Sequence, residues 1–454
     1  MIMKNIKILL LIVIVSLLLL SLEGCKRPVQ QEQNNTPSIQ RQPPNKFQPI
    51  ILKTTKNLAA QKDKYTKVIS LKEKYGYGML NYLSGYENII TVIAYPYENT
   101  LPGKIHGGDI IPGGCLVVYD IGKDELLRVI KPEEGFFDIY PSLIDKDWIV
   151  WGEIDKNESD TNFRIHAINR NTQEEKVVLE RKRGYDEKFI EGESISAETK
   201  WAIPLRYFDI KGDNLYYEIT IYEDKGVFSK ENMQSVYRTI SSSIYELNLK
   251  TLGEKRLIHW KNPYEGISDF DINNDYLAFS ITGRDYEKGT SYSNVFIYSF
   301  KNGKITQFTD DLISESPKLT PDNWIIYQRW NPNELLLTQH EISQGYMFHI
   351  IMEPIDRNKP PLYIAWDDWS PTCRGVSPSG RFITFEGPPK LFDRNTNMLI
   401  EYRGAWDTFT SENIIVSENS IGVPKDIYLG PVQWINVTYI DKLLEVLHGE
   451  ENKP

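Results

Sequence analysis

A short motif recurs along this 454-residue chain: a turn residue, an aromatic, then three or four apolar residues. It stands in Asp147-Trp148-Ile149-Val150-Trp151, Asp275-Tyr276-Leu277-Ala278-Phe279, Asn323-Trp324-Ile325-Ile326-Tyr327 and Arg381-Phe382-Ile383-Thr384-Phe385. Weaker copies lie at Lys200-Trp201-Ala202-Ile203, Asn88-Ile89-Ile90-Thr91-Val92 and Asn413-Ile414-Ile415-Val416. Between anchors at 89, 148, 201, 276, 324, 382 and 414 the steps are 59, 53, 75, 48, 58 and 32 residues. Runs this short, rich in aromatic and β-branched residues and bounded by turn formers, are strands rather than helices. A strand apolar on both faces must be covered on both. A period near 50 in an all-strand chain therefore points to a stacked or radial array in which each unit covers the next.

Most anchors are followed by a hairpin. Residues 294–300 and 305–309 flank a turn at Asn302-Gly303, and the pairs 164–168 with 176–179 and 244–249 with 254–258 repeat the design. One strand, a buried second strand and an outer hairpin make a four-stranded blade. The expected fold is all-β, a β-propeller of four-stranded blades, with seven blades favoured and six allowed by the short last step. Lys67-Val68-Ile69-Ser70-Leu71 could supply the outer strand of the last blade and close the ring with both chain ends. The long insertions, 97–113, 207–242 and 283–293, are expected to build the ligand-facing surface at one end of the channel or to crowd one edge.

The run Glu315-Ser316-Pro317-Lys318-Leu319-Thr320-Pro321-Asp322-Asn323-Trp324-Ile325-Ile326-Tyr327 resembles the central signature of TolB-like propeller repeats. Ile297-Tyr298, Asn302-Gly303 and Gln307-Phe308-Thr309 resemble the rest of that unit, which is also WD-repeat-like in plan. Gly375-Val376-Ser377-Pro378-Ser379-Gly380-Arg381-Phe382 is similar again. The match is clear over 265–403 and degenerate elsewhere, and too few residues precede the first blade for the additional α/β domain of TolB itself. The resemblance implies a fold and a binding habit, with no part in a Tol system.

The first 25 residues have a basic head, an apolar run from Ile8 to Leu22 broken only by Ser16 and Ser21, then Glu23-Gly24-Cys25. That is the pattern of a secretory signal. Leu22-Glu23-Gly24-Cys25 resembles the lipobox of bacterial lipoproteins, departing from it at Glu23, and the resemblance implies lipidation, palmitate included, at Cys25. The apolar run is short for a hydrocarbon core of roughly 30 Å, although an uncleaved membrane anchor is the alternative. The expected organisation is a signal peptide at 1–24, a lipidated Cys25 with a disordered Gln/Asn/Pro-rich tether to 46, a propeller over 47–440, and a short helix and tail at 441–454. The expected location is the extracytoplasmic side of the cell membrane, held in the lipid bilayer through Cys25.

A formal charge of −10 without a basic stripe argues against a nucleic-acid surface. Cys115 and Cys373 are the other two cysteines, with no spacing that argues for or against a bridge. No G-x-S-x-G elbow and no H-E-x-x-H pair occurs, so no catalytic residue, metal site or cofactor is assigned. His166 and His259 fall in expected strands and are read as packing or hydrogen-bonding residues. The neighbouring acids Glu133-Glu134, Asp310-Asp311 and Asp367-Asp368 would point to opposite faces of a strand, which is the wrong arrangement for a carboxylate pair across a scissile bond. Candidate ligand-binding residues are His106 and Asp109 on a Gly-rich loop, and Asp367 and Trp369 between two blades, where an acid beside an indole suits a sugar ring or an extended peptide. The reading is a non-catalytic binding or assembly scaffold of the cell envelope with a protein or glycan partner. Its rival is a surface protein that binds or degrades polysaccharide.

Overall fold

The computed structural model describes residues 40–43, 45–52, 54–99, 113–134, 136–155, 163–181, 200–228, 235–262, 265–285, 290–330, 348–365, 372–385, 389–402, 408–420 and 433–451. They build seven blades, each of four antiparallel strands in meander order: six blades lie within 77–130, 136–181, 200–260, 265–307, 314–365 and 373–401, and the seventh takes three strands from 408–439 and its fourth from 66–69. These are blades 1 to 7. Their innermost strands are Tyr77–Tyr86, Phe136–Ile144, Lys200–Lys211, Glu265–Ile272, Ser314–Leu319, Cys373–Val376 and Thr408–Thr410. Each touches the next, and the seventh touches the first. The chain is a seven-bladed β-propeller.

Among the described residues the apolar side chains fall into seven clusters, one between each pair of neighbouring blades. The recurring motif explains why. Side chains on a strand alternate in direction, so Trp148 and Val150 enter the layer with blade 3 while Ile149 and Trp151 enter the layer with blade 1. A second strand with both faces covered has to be apolar throughout. Full burial of each such side chain is worth about 1.5–3 kcal/mol, and no blade could retain that alone.

The predicted anchors start second strands at Ile89, Trp148, Tyr276, Trp324, Phe382 and Ile414. Blade 3 is the exception. Trp201 lies on its innermost strand, and the second strand, Asn214–Phe228, follows a turn at Gly212, whose φ is +57°. The 207–242 segment, expected as an insertion, consists mostly of strands of 12, 15 and 14 residues. Moving the anchor to Leu215 divides the anomalous 75-residue step into a more even series.

The N-terminal part of the chain runs round the outer rim. Strand β1 (Gln40–Arg41) adds in parallel to blade 4, β2 (Ile50–Leu52) to blade 5 and β3 (Thr54–Asn57) to blade 6. Strand β4 (Thr66–Ile69) then pairs antiparallel with Gln433–Tyr439 as the fourth strand of blade 7, the closure anticipated for 67–71. Pairing begins at Gln40, inside the 25–46 stretch expected as tether. Polar groups fasten this strap: Asn45 Nδ2 donates to Glu353 Oε2 (3.2 Å) and to the Lys359 carbonyl (3.1 Å), and Gln42 donates to the Ile355 carbonyl. The C-terminal helix, Ile440–Glu451, runs three turns rather than two and buries Ile440, Leu443 and Leu447 against blades 6 and 7. Among the described residues no helix is long and apolar enough to cross a membrane.

On the face that carries the turns between first and second strands, hydrogen bonds link blade to blade. Ser84 Oγ accepts from Ile144 N–H, Trp148 Nε1 donates to Asp213, and Lys211 donates to the Asn273 and Asn274 carbonyls. Asn273 donates to the Thr320 carbonyl and to Asn323, Arg394 grips Asp322 through two bonds of 2.8 and 2.9 Å, and Glu412 accepts from Ser379. This belt fixes the mouth of the channel at that face.

Candidate functional site

Cys25, His106, Asp109, Asp367 and Trp369 all lie outside the described residues. What the structure places at the axis is a different set. The innermost strands of blades 3, 4 and 5 bring Asp209, Asp269, Asp271 and Lys318 together on the channel wall. Lys318 Nζ donates to Asp271 Oδ1 at 3.3 Å, and Asp271 Oδ2 accepts from Leu319 N–H at 2.7 Å. Asp209 uses both oxygens on the backbone, accepting from Ile210 N–H at 2.8 Å and Ile272 N–H at 3.1 Å.

Lys318 and Asp271 keep 26% and 18% of their side-chain surface accessible, so the surrounding protein penalises charge here while solvent still reaches the pair. Burial, reinforced by the charge of Asp271 and opposed by Lys318, pushes the Asp209 carboxyl up to about 8. Burial also raises Asp269 and Asp271, against the pull of Lys318. For Lys318 burial works towards loss of the proton, but Asp271, Asp269 and Asp209 overcome it and hold the ammonium above its ordinary range. Lys318 is thus a fixed cation among three acids whose charge burial suppresses.

The Asp269-Phe270-Asp271 spacing is the sequence signal that was missed. Residues two apart on a strand share a face, so Phe270 enters the layer with blade 3 while Asp269 and Asp271 face away from it, Asp271 towards Lys318 and Leu319 of blade 5. Lys318 was legible only as part of the repeat signature. No group of three or more His, Cys, Asp or Glu among the described residues is placed to hold a metal ion.

Beside this cluster the channel opens into a pocket of about 910 Å³ at the hydrogen-bonded face. Blades 1, 2, 3, 6 and 7 line it. Tyr207, Phe208 and Phe409 give it aromatic walls, and Arg374 and Ser142 give it polar ones. Its width depends on two glycines. A Cβ at Gly85 would stand 2.5 Å from the Phe409 ring, and one at Gly375 would stand 2.4 Å from Thr410 Oγ1. Pockets of about 300–1,000 Å³ with apolar walls and a few polar groups are the usual form of a ligand site.

The remaining sequence candidates are structural. Cys115 and Cys373 are both free and buried, in blades 1 and 6, and burial raises the Cys373 thiol to about 12. His166, stacked on Trp151 at 5.0 Å, puts Nε2 3.3 Å from the buried Glu153 carboxylate without an aligned hydrogen bond. Burial alone would raise Glu153, but the His166 ring and the Trp151 donor hold it below its ordinary range. His259 Nδ1 bonds Ser243 Oγ at 2.9 Å.

Neither a family model nor a curated protein sequence matches the chain. Among solved structures it is similar to the β-propeller domain of the trilobed protease from Pyrococcus furiosus, at 9% identity and a TM-score of 0.47 over 80% of this chain and 95% of that one. It is similar also to the acylaminoacyl peptidase of Pyrococcus horikoshii, at 11% identity and a TM-score of 0.49 over 82% of this chain and 52% of the peptidase, about half that protein's length. An oligogalacturonate lyase from Vibrio parahaemolyticus follows at 8% identity and a TM-score of 0.42, covering 82% and 91%. The likeness is one of β-propeller fold, which the seven blades establish on their own.

Proposed function

We propose that this chain is a lipid-anchored extracytoplasmic protein whose propeller binds a partner at one mouth of its central channel and performs no chemistry on it. The observation that carries the reading is the pocket of about 910 Å³ on a rim cross-linked from blade to blade. A rigid rim holds a binding surface at little entropic cost on association. The Leu22-Glu23-Gly24-Cys25 sequence supports the anchor, and the TolB-like repeats support a binding habit for the blades. The partner we favour is an envelope protein. A glycan is the second reading, favoured by Tyr207, Phe208 and Phe409 beside the hydroxyls of the pocket wall, since aromatic faces stack on sugar rings.

The test is cross-linking and pull-down of the native protein from intact cells, with Cys25→Ala as the unanchored control and labelling with a palmitate analogue to read lipidation. A stoichiometric protein partner that is reduced in the control supports the reading. Recovery of glycan alone transfers it to the second, and absence of label on Cys25 removes the anchor.

A further inference from the structure

The outermost strands of the seven blades differ in charge. Such a strand leaves one row of backbone N–H and C=O groups open, and charged side chains are the usual guard against pairing with another chain. Blades 1, 2 and 3 end in Glu125–Ile130, Glu175–Arg181 and Glu254–Trp260, which hold two, four and three residues of Asp, Glu, Lys or Arg. Blades 4, 6 and 7 end in β1, β3 and β4, which contain Arg41, Lys56 and Lys67. Blade 5 ends in β2, Ile50-Ile51-Leu52, and among the described outer strands it alone has no charge.

The same edge leaves apolar surface in water. Phe47 and Ile50 are 47% and 49% exposed, while Leu52 is buried in the layer between blades 5 and 6. Ile50, Ile51 and Leu52 pair in parallel with Leu362, Tyr363 and Ile364, and Ile50 N–H donates to the Pro361 carbonyl at 2.9 Å. Successive residues of a strand turn their backbone groups to opposite neighbours. Ile50 and Leu52 therefore bond blade 5, and Ile51 presents its N–H and C=O outward. Pro49 has no N–H to offer, which keeps the open stretch short. Strand β2 is itself an addition to the four strands of its blade, so one more strand would continue a sheet that already grows in this direction.

We infer that the edge of blade 5 is a self-association surface, covered by the same edge of a second copy of this chain. Two β2 strands set antiparallel about a twofold axis bring Ile51 opposite Ile51 as a hydrogen-bonded pair, with two N–H···O=C bonds and Cα atoms about 5.5 Å apart. Ile50 then stands beside Leu52 of the second copy on one face of the joined sheet. At the other six edges the same pairing would take charged side chains out of water, and at this one it does not. Twofold pairing consumes the one uncharged edge of each copy, so assembly stops at two. Three strand residues and two apolar side chains a side cover less than the roughly 1,000 Å² of a stable interface, so the dimer is a weak one. The edge lies on the outer rim, away from the innermost strands, and pairing there leaves the pocket at the channel mouth open.

The test is sedimentation equilibrium of the full chain in density-matched detergent at concentrations up to about 500 μM, where a monomer–dimer equilibrium with a dissociation constant on the order of 100 μM is expected. Ile51→Pro removes the outward N–H and Ile50→Lys puts a charge on the edge, and each should weaken association by roughly tenfold or more. Both should leave the thermal midpoint at its native value, since the first touches no bond to blade 5 and the second replaces a half-exposed side chain. In a Cys25→Ala background, where Cys115 and Cys373 are buried, Ile51→Cys should give a disulfide-linked dimer under mild oxidant, because about 5.5 Å lies within the Cα separation of a disulfide. Leu127→Cys, exposed on the edge of blade 1, should give none. A chain that stays monomeric over the whole range, a dimer that survives Ile51→Pro and Ile50→Lys, or equal cross-linking of the two cysteine variants overturns the inference.

Discussion

Replacement of Asp209 by Asn tests whether the channel wall holds a proton at neutral pH. In the folded chain this carboxyl titrates at about 8, against an ordinary value of 3.8. Between those values the folded protein keeps a proton that the unfolded chain has released. Asp209 thus favours folding fully below about pH 4, and that contribution is lost progressively as pH rises to 8. At 1.36 kcal/mol per pKa unit the loss amounts to about 6 kcal/mol as an upper figure. Since Asp271 and Asp269 share the same Lys318, about 3 kcal/mol is the working expectation. Asn carries no charge, so the slope disappears. Asn keeps one accepting oxygen, and its amide nitrogen cannot accept, so one of the two bonds from Ile210 N–H and Ile272 N–H is lost at about 1 kcal/mol at every pH. The variant should be the less stable protein at pH 4.5, equal near pH 5, and the more stable by a few kcal/mol at pH 8.5. Urea midpoints at pH 4.5, 6, 7 and 8.5, at constant denaturant slope, measure this. A difference between the two proteins that stays constant across the series would refute the reasoning.

Lys318→Met removes the cation that Asp209 and Asp271 share, leaving Asp269 only Arg374; with both partners of the Lys318–Asp271 pair partly accessible, a loss of about 2–3 kcal/mol is expected at pH 8 and a smaller one at pH 5, read by the same titration. Gly85→Ala forces the Phe409 ring to move, costing about 1–3 kcal/mol by thermal unfolding, and Phe409→Leu in the same chain should recover part of it. An Ellman titration should find Cys115 and Cys373 unreactive in the native protein and both reactive in denaturant without reductant. Loss of both thiols would show a bridge, and loss of one a modification, that the structure does not contain.

Blade 4 was the most legible part of the chain because its turn, anchor and hairpin are all local. Asn302-Gly303 puts Gly303 at a φ of +66°, and the flanking strands follow. Blade 3 misled because a tryptophan after a lysine imitates the start of a second strand, whereas the real turn, Lys211-Gly212-Asp213, precedes Leu215-Tyr216-Tyr217. Strand β1 had no signal at all. Gln40 and Arg41 are polar and exposed, and their pairing with Thr306 and Gln307 uses only backbone groups. The acid cluster went unread because attention to acids stopped at the adjacent pairs Glu133-Glu134, Asp310-Asp311 and Asp367-Asp368, which were set aside as facing opposite ways, while the strand period joins Asp269 to Asp271. Bringing Asp209 and Lys318 beside them is the work of ring closure, and no local pattern announces it.

The strap has a consequence for the order of folding. Thr66 meets Thr438 across 372 positions, and β1, β2 and β3 likewise wait for blades 4, 5 and 6. Each blade can form its hairpins as it is made, but β4 must remain unpaired until the last blade exists. Contacts so distant in sequence form slowly, because the entropy of closing the loop is lost before any pairing repays it. Until then the outer edges of three blades are open templates for another chain. The strands synthesised first are the last to be placed, and the chain is most exposed to aggregation just before it is complete.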